Sequence, residues 1–443
     1  KQYLVEAGEN HPLLQARNDE WRAALERLPQ VTTLEDPMFT VGFFLRSELN
    51  DYKAMVAQKF PWFGTLKKRG EMATLEADAA FQNYVDERNR IYSEVKKAYF
   101  EYTFLAESLD VVNSQLDVLE YIEEIIASKY EVALASEDEL LRISIERTRV
   151  NDRRDRIIDL RPAIIARLNA AIGSEVDVDR PVPQASPLPA TLPEDSFIRS
   201  SIRQSNPDLK RLDYLIESKS KQIELARKKG FPDFTVGLEY MSVGTPKTNR
   251  PDRPYPATLA AANRTINTLN GTVPFNTTNG LMDLYALRTS NEPMSYPDDM
   301  DDNVALTLSI NVPIWRKKVK AGVSEARLRQ NATINMKRAR TLELEQASQM
   351  MIFEVKDAER RYYLFERSLL PQAQRSYDSL QAQYATADFG TSFIDVLDSI
   401  QTLLSIELEQ VRAKRDWYIS EAELEYLAGT PWTDVMESAE EIE

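Results

Sequence analysis

Two carboxylates, Asp395 and Asp398, stand three positions apart just after the segment Phe389-Gly390-Thr391-Ser392. On a helix this spacing sets both acids on one face, one turn apart, as fixed negative charge. Asp395 also completes an S-x-x-D capping box with Ser392, so helix capping and exposed charge stand as two readings of that residue. Asp398 has no capping duty. Ser136 and Glu139 form the same kind of box earlier in the chain. Other chemistry is sparse. The chain has one histidine, His11, and no cysteine, which removes thiolate chemistry and nearly excludes a histidine-based metal site or catalytic triad. His11 reads as a polar residue at a helix entry. Met241, Met282, Met294 and Met300 show no ligand spacing, and the Asn-x-Thr triplets at Asn263 and Asn276 are what chance supplies. No constellation of nucleophile, base and oxyanion donors is present, so no catalytic, cofactor or metal residue is assigned and the chain does not read as an enzyme.

The capping boxes must sit at the starts of helices, which predicts two helical hairpins with tips at Ala135-Ser136 and Gly390-Thr391-Ser392. The returning helices stop at Gly173 and Gly429, as glycine C-caps do. Before the first tip, Ile91, Val95, Ala98, Tyr102, Leu105, Leu109, Val112, Leu116 and Leu119 step 4-3-4-3, a coiled-coil seam. Val355, Ala358, Tyr362, Phe365 and Leu369 repeat it before the second tip. Residues 66–132 lack proline and, after Gly70, glycine, so a single helix of roughly 100 Å is expected. The 320–386 segment is comparable, with a mild kink at Pro371.

Four segments read as strands. Phe39, Val41 and Phe43 alternate with Thr40 and Gly42; Phe234, Val236 and Leu238 alternate with Thr235 and Gly237; Leu306, Leu308 and Ile310 alternate with Thr307 and Ser309. Residues 52–60 form a weaker fourth. About nine residues each is close to what a tilted strand needs to cross a bilayer, and the nine apolar residues just named are expected to face lipid. A half-buried sheet of a soluble domain is the alternative for any one strand alone. No run of 18 apolar residues occurs, so no membrane-spanning helix is expected, and a net charge of −15 argues against a nucleic-acid partner.

The chain repeats itself. Pro12 and Pro207, like Phe39 and Phe234, are 195 positions apart; Pro61 and Pro313, Tyr130 and Tyr384, and Gly173 and Gly429 continue the match after an insertion of about 57 residues. The expected organisation is a first repeat at 1–172, a proline-rich linker at 173–195, a second repeat at 196–430 with a long polar loop at 241–303, and a tail at 431–443. Four strands are too few to close a barrel, whose narrowest examples use about eight. Three copies would supply twelve. The fold class expected is therefore mixed α and β: two tandem repeats giving four transmembrane strands plus long coiled-coil helices, in a trimer forming a 12-stranded β-barrel on a 12-helix α-barrel.

The segments "NPDLKRLDYLIESKSKQIELARKKGFPDFTVGLEY", "FPWFGTLKKRGEMA", "LLPQAQRSYDSLQAQY" and "FGTSFIDVLDSIQTLLSIELEQVRAKRDWYISEAELEYLAGTP" resemble, in order and spacing, the TolC-type outer-membrane channels of tripartite efflux pumps and type I secretion systems. The resemblance spans nearly the whole chain. It implies a homotrimer in the outer membrane of a Gram-negative bacterium, with a periplasmic α-barrel and an equatorial belt from segments such as 173–205 and 430–443. It also implies a periplasmic adaptor and an inner-membrane pump as partners, and no cofactor. Asp395 and Asp398 match the family's selectivity gate, and Ala135, Ser136, Gly390, Thr391 and Ser392 match the tips that meet the adaptor. The chain departs from the family at the latch: Ala387 and Ser392 stand where well-studied members carry a tyrosine and an arginine.

The function expected is a passive exit duct, with multidrug or general small-molecule efflux ranked first, heavy-metal efflux second and type I protein secretion third. An elongated coiled-coil scaffold is the non-channel alternative, and it leaves the alternating strands without a use.

Overall fold

The structure is a computed structural model and describes residues 1–45, 50–183, 188, 192–243, 302–385 and 392–430. Among the described residues the chain is mostly helical with one small sheet, and it divides into a helical unit (1–32, 64–228 and 315–443) and a sheet unit (33–63 and 229–314).

In the helical unit, α1 (Gln2–Asn10) leads into α2 (Pro12–Thr32), and α3 (Thr65–Glu131) turns at Ala133 into α4 (Glu137–Ile172). The next helices are α5 (Asp195–Ser205), α6 (Pro207–Lys228) and α7 (Arg316–Leu364). A π-helical turn, Phe365–Leu369, joins α7 to α8 (Leu370–Ala385), and α9 (Phe393–Ala428) closes the unit. The π turn stands where the sequence led us to expect a kink. Pro371 has no N–H, and in a regular helix its ring would press on the carbonyl of Arg367; widening the preceding turn relieves that clash.

Helix starts follow side-chain chemistry. Ser136 and Ser392 each cap a helix, and Glu139 and Asp395 reach back to complete both boxes. Gly173 and Gly429 end α4 and α9 in the left-handed conformation, at φ 83° and 76°. The seam of α3 packs largely as its spacing dictates: Ile91, Val95, Ala98, Tyr102, Leu105, Val112 and Leu119 are buried. Gln115 is buried beside that seam, where its amide donates to the Ile400 carbonyl at 3.1 Å, so a polar group is carried inside without an unmet donor.

The sheet unit holds β1 (Met38–Phe43), β2 (Asn50–Phe60), β3 (Asp233–Val243) and β4 (Asn303–Asn311), antiparallel throughout and ordered β1-β2-β3-β4. Its register pairs Phe39 with Val56, Val56 with Leu238 and Leu238 with Leu306.

Candidate functional site

Directly paired residues of an antiparallel sheet point to the same side, so this register sorts the side chains into two faces. On one face lie Phe39, Val41 and Phe43 of β1, Val56 of β2, Phe234, Val236 and Leu238 of β3, and Leu306, Leu308 and Ile310 of β4. The other carries Thr40, Lys53, Lys59, Glu239, Thr307 and Ser309, with Lys53 and Glu239 paired at 4.0 Å. The apolar face is open: Leu306 is 78% exposed and Leu308 64%. Of the nine strand residues expected to face lipid, eight are exposed; Phe234 is half-buried under the stacked ring of Trp62. An apolar patch that size on one side of a sheet marks contact with a membrane or another protein.

Gln58 interrupts this apolar face on β2. Its amide is satisfied by the carbonyls of Glu35 (2.8 Å) and Lys59 (3.1 Å), which explains how an amide fits there and why 52–60 reads as a weak strand. At one end of the sheet, Trp62 stacks on Phe231 (ring centroids 5.0 Å apart, planes 13°) and Phe234 (5.9 Å), while its backbone N–H donates to Asp233. Toward the other end, Tyr52 and Tyr240 lie 6.0 Å apart. These paired aromatics were not anticipated. The signal was present in "FPWFG" and "GFPDF", two aromatic-rich strand boundaries.

In the helical unit, Asp395 and Asp398 are both exposed on α9, opposite the buried Phe393, Val396, Leu397 and Ile400. The Asp395 carboxylate accepts from the Ser392 backbone N–H (2.8 Å) and hydroxyl (2.9 Å). These bonds, the backbone one foremost, hold its pKa below the usual carboxylate range. The Asp398 carboxylate has no partner among the described residues, although its backbone carbonyl accepts from Thr402. Capping is thus the observed work of Asp395, and Asp398 presents free charge on the same helix face.

At the first tip, Ser136 accepts from the Glu139 N–H at 3.3 Å, and Ala135 is half-buried against the apolar cluster of α3, α4, α8 and α9. Gly390, Thr391 and Ala387 lie outside the described residues. Sequence reasoning overlooked a half-buried acid on α9: Glu421, whose pKa is pushed up to about 7 by loss of solvent first and the charge of Glu425 second, with Lys96 opposing. Among the described residues no group of His, Asp and Glu side chains is placed to hold a metal. No described helix is long and apolar enough to cross a membrane, which says nothing of a barrel.

A family model described as outer membrane efflux protein matches residues 198–430. No curated protein matches the chain in sequence. Among solved structures, the outer membrane protein VceC of Vibrio cholerae is similar at TM-score 0.70 and 15% identity, covering 97% of this chain and 95% of its own. The CmeC outer membrane channel of Campylobacter jejuni matches at TM-score 0.70 and 11% identity, covering 97% and 85%. The open-state MtrE outer membrane channel of Neisseria gonorrhoeae matches at 0.69 and 15%, covering 97% and 88%. At such identities the likeness is one of fold.

Proposed function

Since the chain belongs to the outer membrane efflux protein family, a family of channels and not of enzymes, we propose that three copies assemble into the exit duct of an efflux system in a Gram-negative outer membrane. The observation that carries this reading is the sheet: one apolar face, one polar face, and two edges, β1 and β4, without a further strand partner among the described residues. Such edges invite pairing with another chain. β1 and β4 run in opposite directions, so β4 of one copy against β1 of the next extends the antiparallel order. Three copies close twelve strands, with lipid outside and water inside.

The repeated order of helix, strand pair and helical hairpin supports the same assembly, because each half would supply an equivalent share of both barrels. The hairpin tips at Ala135-Ser136 and Gly390-Thr391-Ser392 would meet a periplasmic adaptor, and an inner-membrane pump would deliver solute. Asp395 and Asp398 would then place six carboxylates around a three-fold axis, attracting cations and repelling anions.

Extraction of the full chain from outer membrane in detergent, followed by mass measurement and planar-bilayer recording, tests the reading. A trimer that conducts ions is expected. A water-soluble monomer or dimer that never inserts would overturn it.

A further inference from the structure

The chain carries a net charge of −15, yet residues 63–70, 225–232 and 312–324 each cluster Lys and Arg and contain no Asp or Glu. Packing brings the helical parts of these runs together. α3 and α6 are antiparallel, tied by Lys68 to Glu224 (3.0 Å) and Lys221 to Glu71 (3.2 Å), and a Cβ added to Gly64 would lie 3.3 Å from Lys228 Nζ. α6 and α7 are antiparallel too, with Lys337 on Asp213 (2.5 Å) and Gln330 donating to the Ile216 carbonyl (3.4 Å). Counted equally from that last contact, Lys228 and Lys318 stand level, so the start of α3, the end of α6 and the start of α7 meet at one end of the helical unit.

The charge at that end is uncompensated. The nearest acids on these helices, Glu71, Glu224 and Glu325, are engaged by Lys68, Lys221 and Arg329. Lys67, Arg69, Arg227, Lys317, Lys318 and Lys320 make no ion pair among the described residues; Arg69 is half-buried and the others are exposed. Helix chemistry does not account for them: cations suit the last turn of α6 but oppose the dipole in the first turns of α3 and α7, where no acid stands. A face kept only for solubility mixes both signs. Each run also borders aromatic residues on the way to or from a strand. Trp62 and Phe63 precede α3, Phe231 follows α6, and Trp315 precedes α7 after the alternating Leu308, Ile310, Val312 and Ile314. Phe63 and Trp315 are exposed. Along the chain from β4 the order is apolar, then indole, then cation, which matches hydrocarbon, interface and headgroup phosphate across a leaflet.

We infer that this cationic end binds the phosphate groups of anionic phospholipids in the leaflet where the strands hand over to the helices. The inference rests on the proposal that the sheet stands in a bilayer. Unmatched Lys and Arg at a membrane surface enrich anionic lipid around the protein, and the attraction weakens as salt rises.

For the test, the full chain is reconstituted into phosphatidylcholine vesicles holding a trace of spin-labelled phosphatidylglycerol or spin-labelled phosphatidylcholine. The motionally restricted fraction of each label gives the relative affinity for the two headgroups. The parent is expected to prefer phosphatidylglycerol at least about threefold at low salt, with the preference shrinking at high salt. Lys317→Gln, Lys318→Gln and Lys320→Gln combined should remove most of that preference, and arginine at the same three positions should keep it. Lys67→Gln, Arg69→Gln and Arg227→Gln combined carry the same expectation if the first variant does not fold. Arg153→Gln, Arg338→Gln and Arg375→Gln combined, at exposed positions of α4, α7 and α8 away from this end, should change nothing. A parent without preference, a Lys317/Lys318/Lys320 variant that retains it, or a control that loses as much would overturn the inference and leave the channel reading standing. A chain that never enters the vesicles would overturn both.

Discussion

Gly173 packs so closely on His11 that a Cβ added to the glycine would lie 2.7 Å from the histidine Cα. The same contact recurs between Gly429 and Asn206, at 2.9 Å. In each pair the polar residue caps the helix that follows. His11 Nδ1 accepts from the Leu13 N–H at 3.2 Å, and Asn206 Oδ1 accepts from the N–H groups of Asp208 (3.0 Å) and Leu209 (3.2 Å). Burial, then the charge of Arg90, lowers the His11 pKa, consistent with a neutral ring accepting that bond. The helix-entry role read from the sequence is thus the one His11 performs.

Alanine at Gly173 or Gly429 would meet both a clash and a left-handed backbone. Each substitution is expected to cost about 1–3 kcal/mol. Gly322 of α7 has nothing within 4 Å of an added Cβ, so Gly322→Ala should stabilise by about 0.5–1 kcal/mol. Thermal unfolding followed by circular dichroism separates the three; a Gly173→Ala protein as stable as its parent would contradict the packing argument.

Leu308→Lys puts a charge on the apolar face of the sheet and is expected to cost about 2–4 kcal/mol of barrel stability if that face meets lipid. Ser309→Lys, one residue on and on the polar face, should assemble normally. Semi-native electrophoresis of the membrane-extracted protein reads the outcome, and equal assembly of the two variants would refute the facial assignment.

Replacing both Asp395 and Asp398 by asparagine should lower cation-over-anion selectivity and weaken block by multivalent cations in planar bilayers. Folding should change little, because Ser392 still caps α9 and an amide oxygen in place of the Asp395 carboxylate keeps an acceptor in reach. Wild-type selectivity in the double variant would leave Asp395 as a capping residue only.

Glu421 sets a pH dependence of stability. Its folded pKa, about 7, lies above its ordinary value of 4.5, so the folded state holds a proton that the unfolded chain releases. Stability linked to this group is complete below about pH 4.5 and is lost as pH rises toward 7. Glu421→Gln should therefore match the parent at pH 4 and exceed it by roughly 1–3 kcal/mol at pH 8. Urea unfolding at the two pH values checks this; an advantage at pH 4 that vanishes at pH 8 would reverse the sign and reject the burial argument.

Much of this architecture was legible in the residues because the forces involved are local. Ser136 with Glu139 and Ser392 with Asp395 satisfy backbone groups within one turn, and Gly173 and Gly429 supply a conformation that other residues resist. The alternation through Phe39, Val236 and Leu308 follows from the strand pleat, and the seam through Val95 and Tyr102 from the helical period. The tertiary structure decided what depends on distant partners. Gln58 is tolerated on an apolar face only because the Glu35 carbonyl comes within reach, and Pro371 is accommodated by widening the preceding turn. Lys129 donates to the Tyr384 carbonyl although most of the second repeat separates them, and nothing in their local sequence marks them as a pair. The partial burial of Glu421 likewise arises from the packing of α9 on both α3 and α7, since desolvation is set by every neighbour at once and not by spacing along one chain.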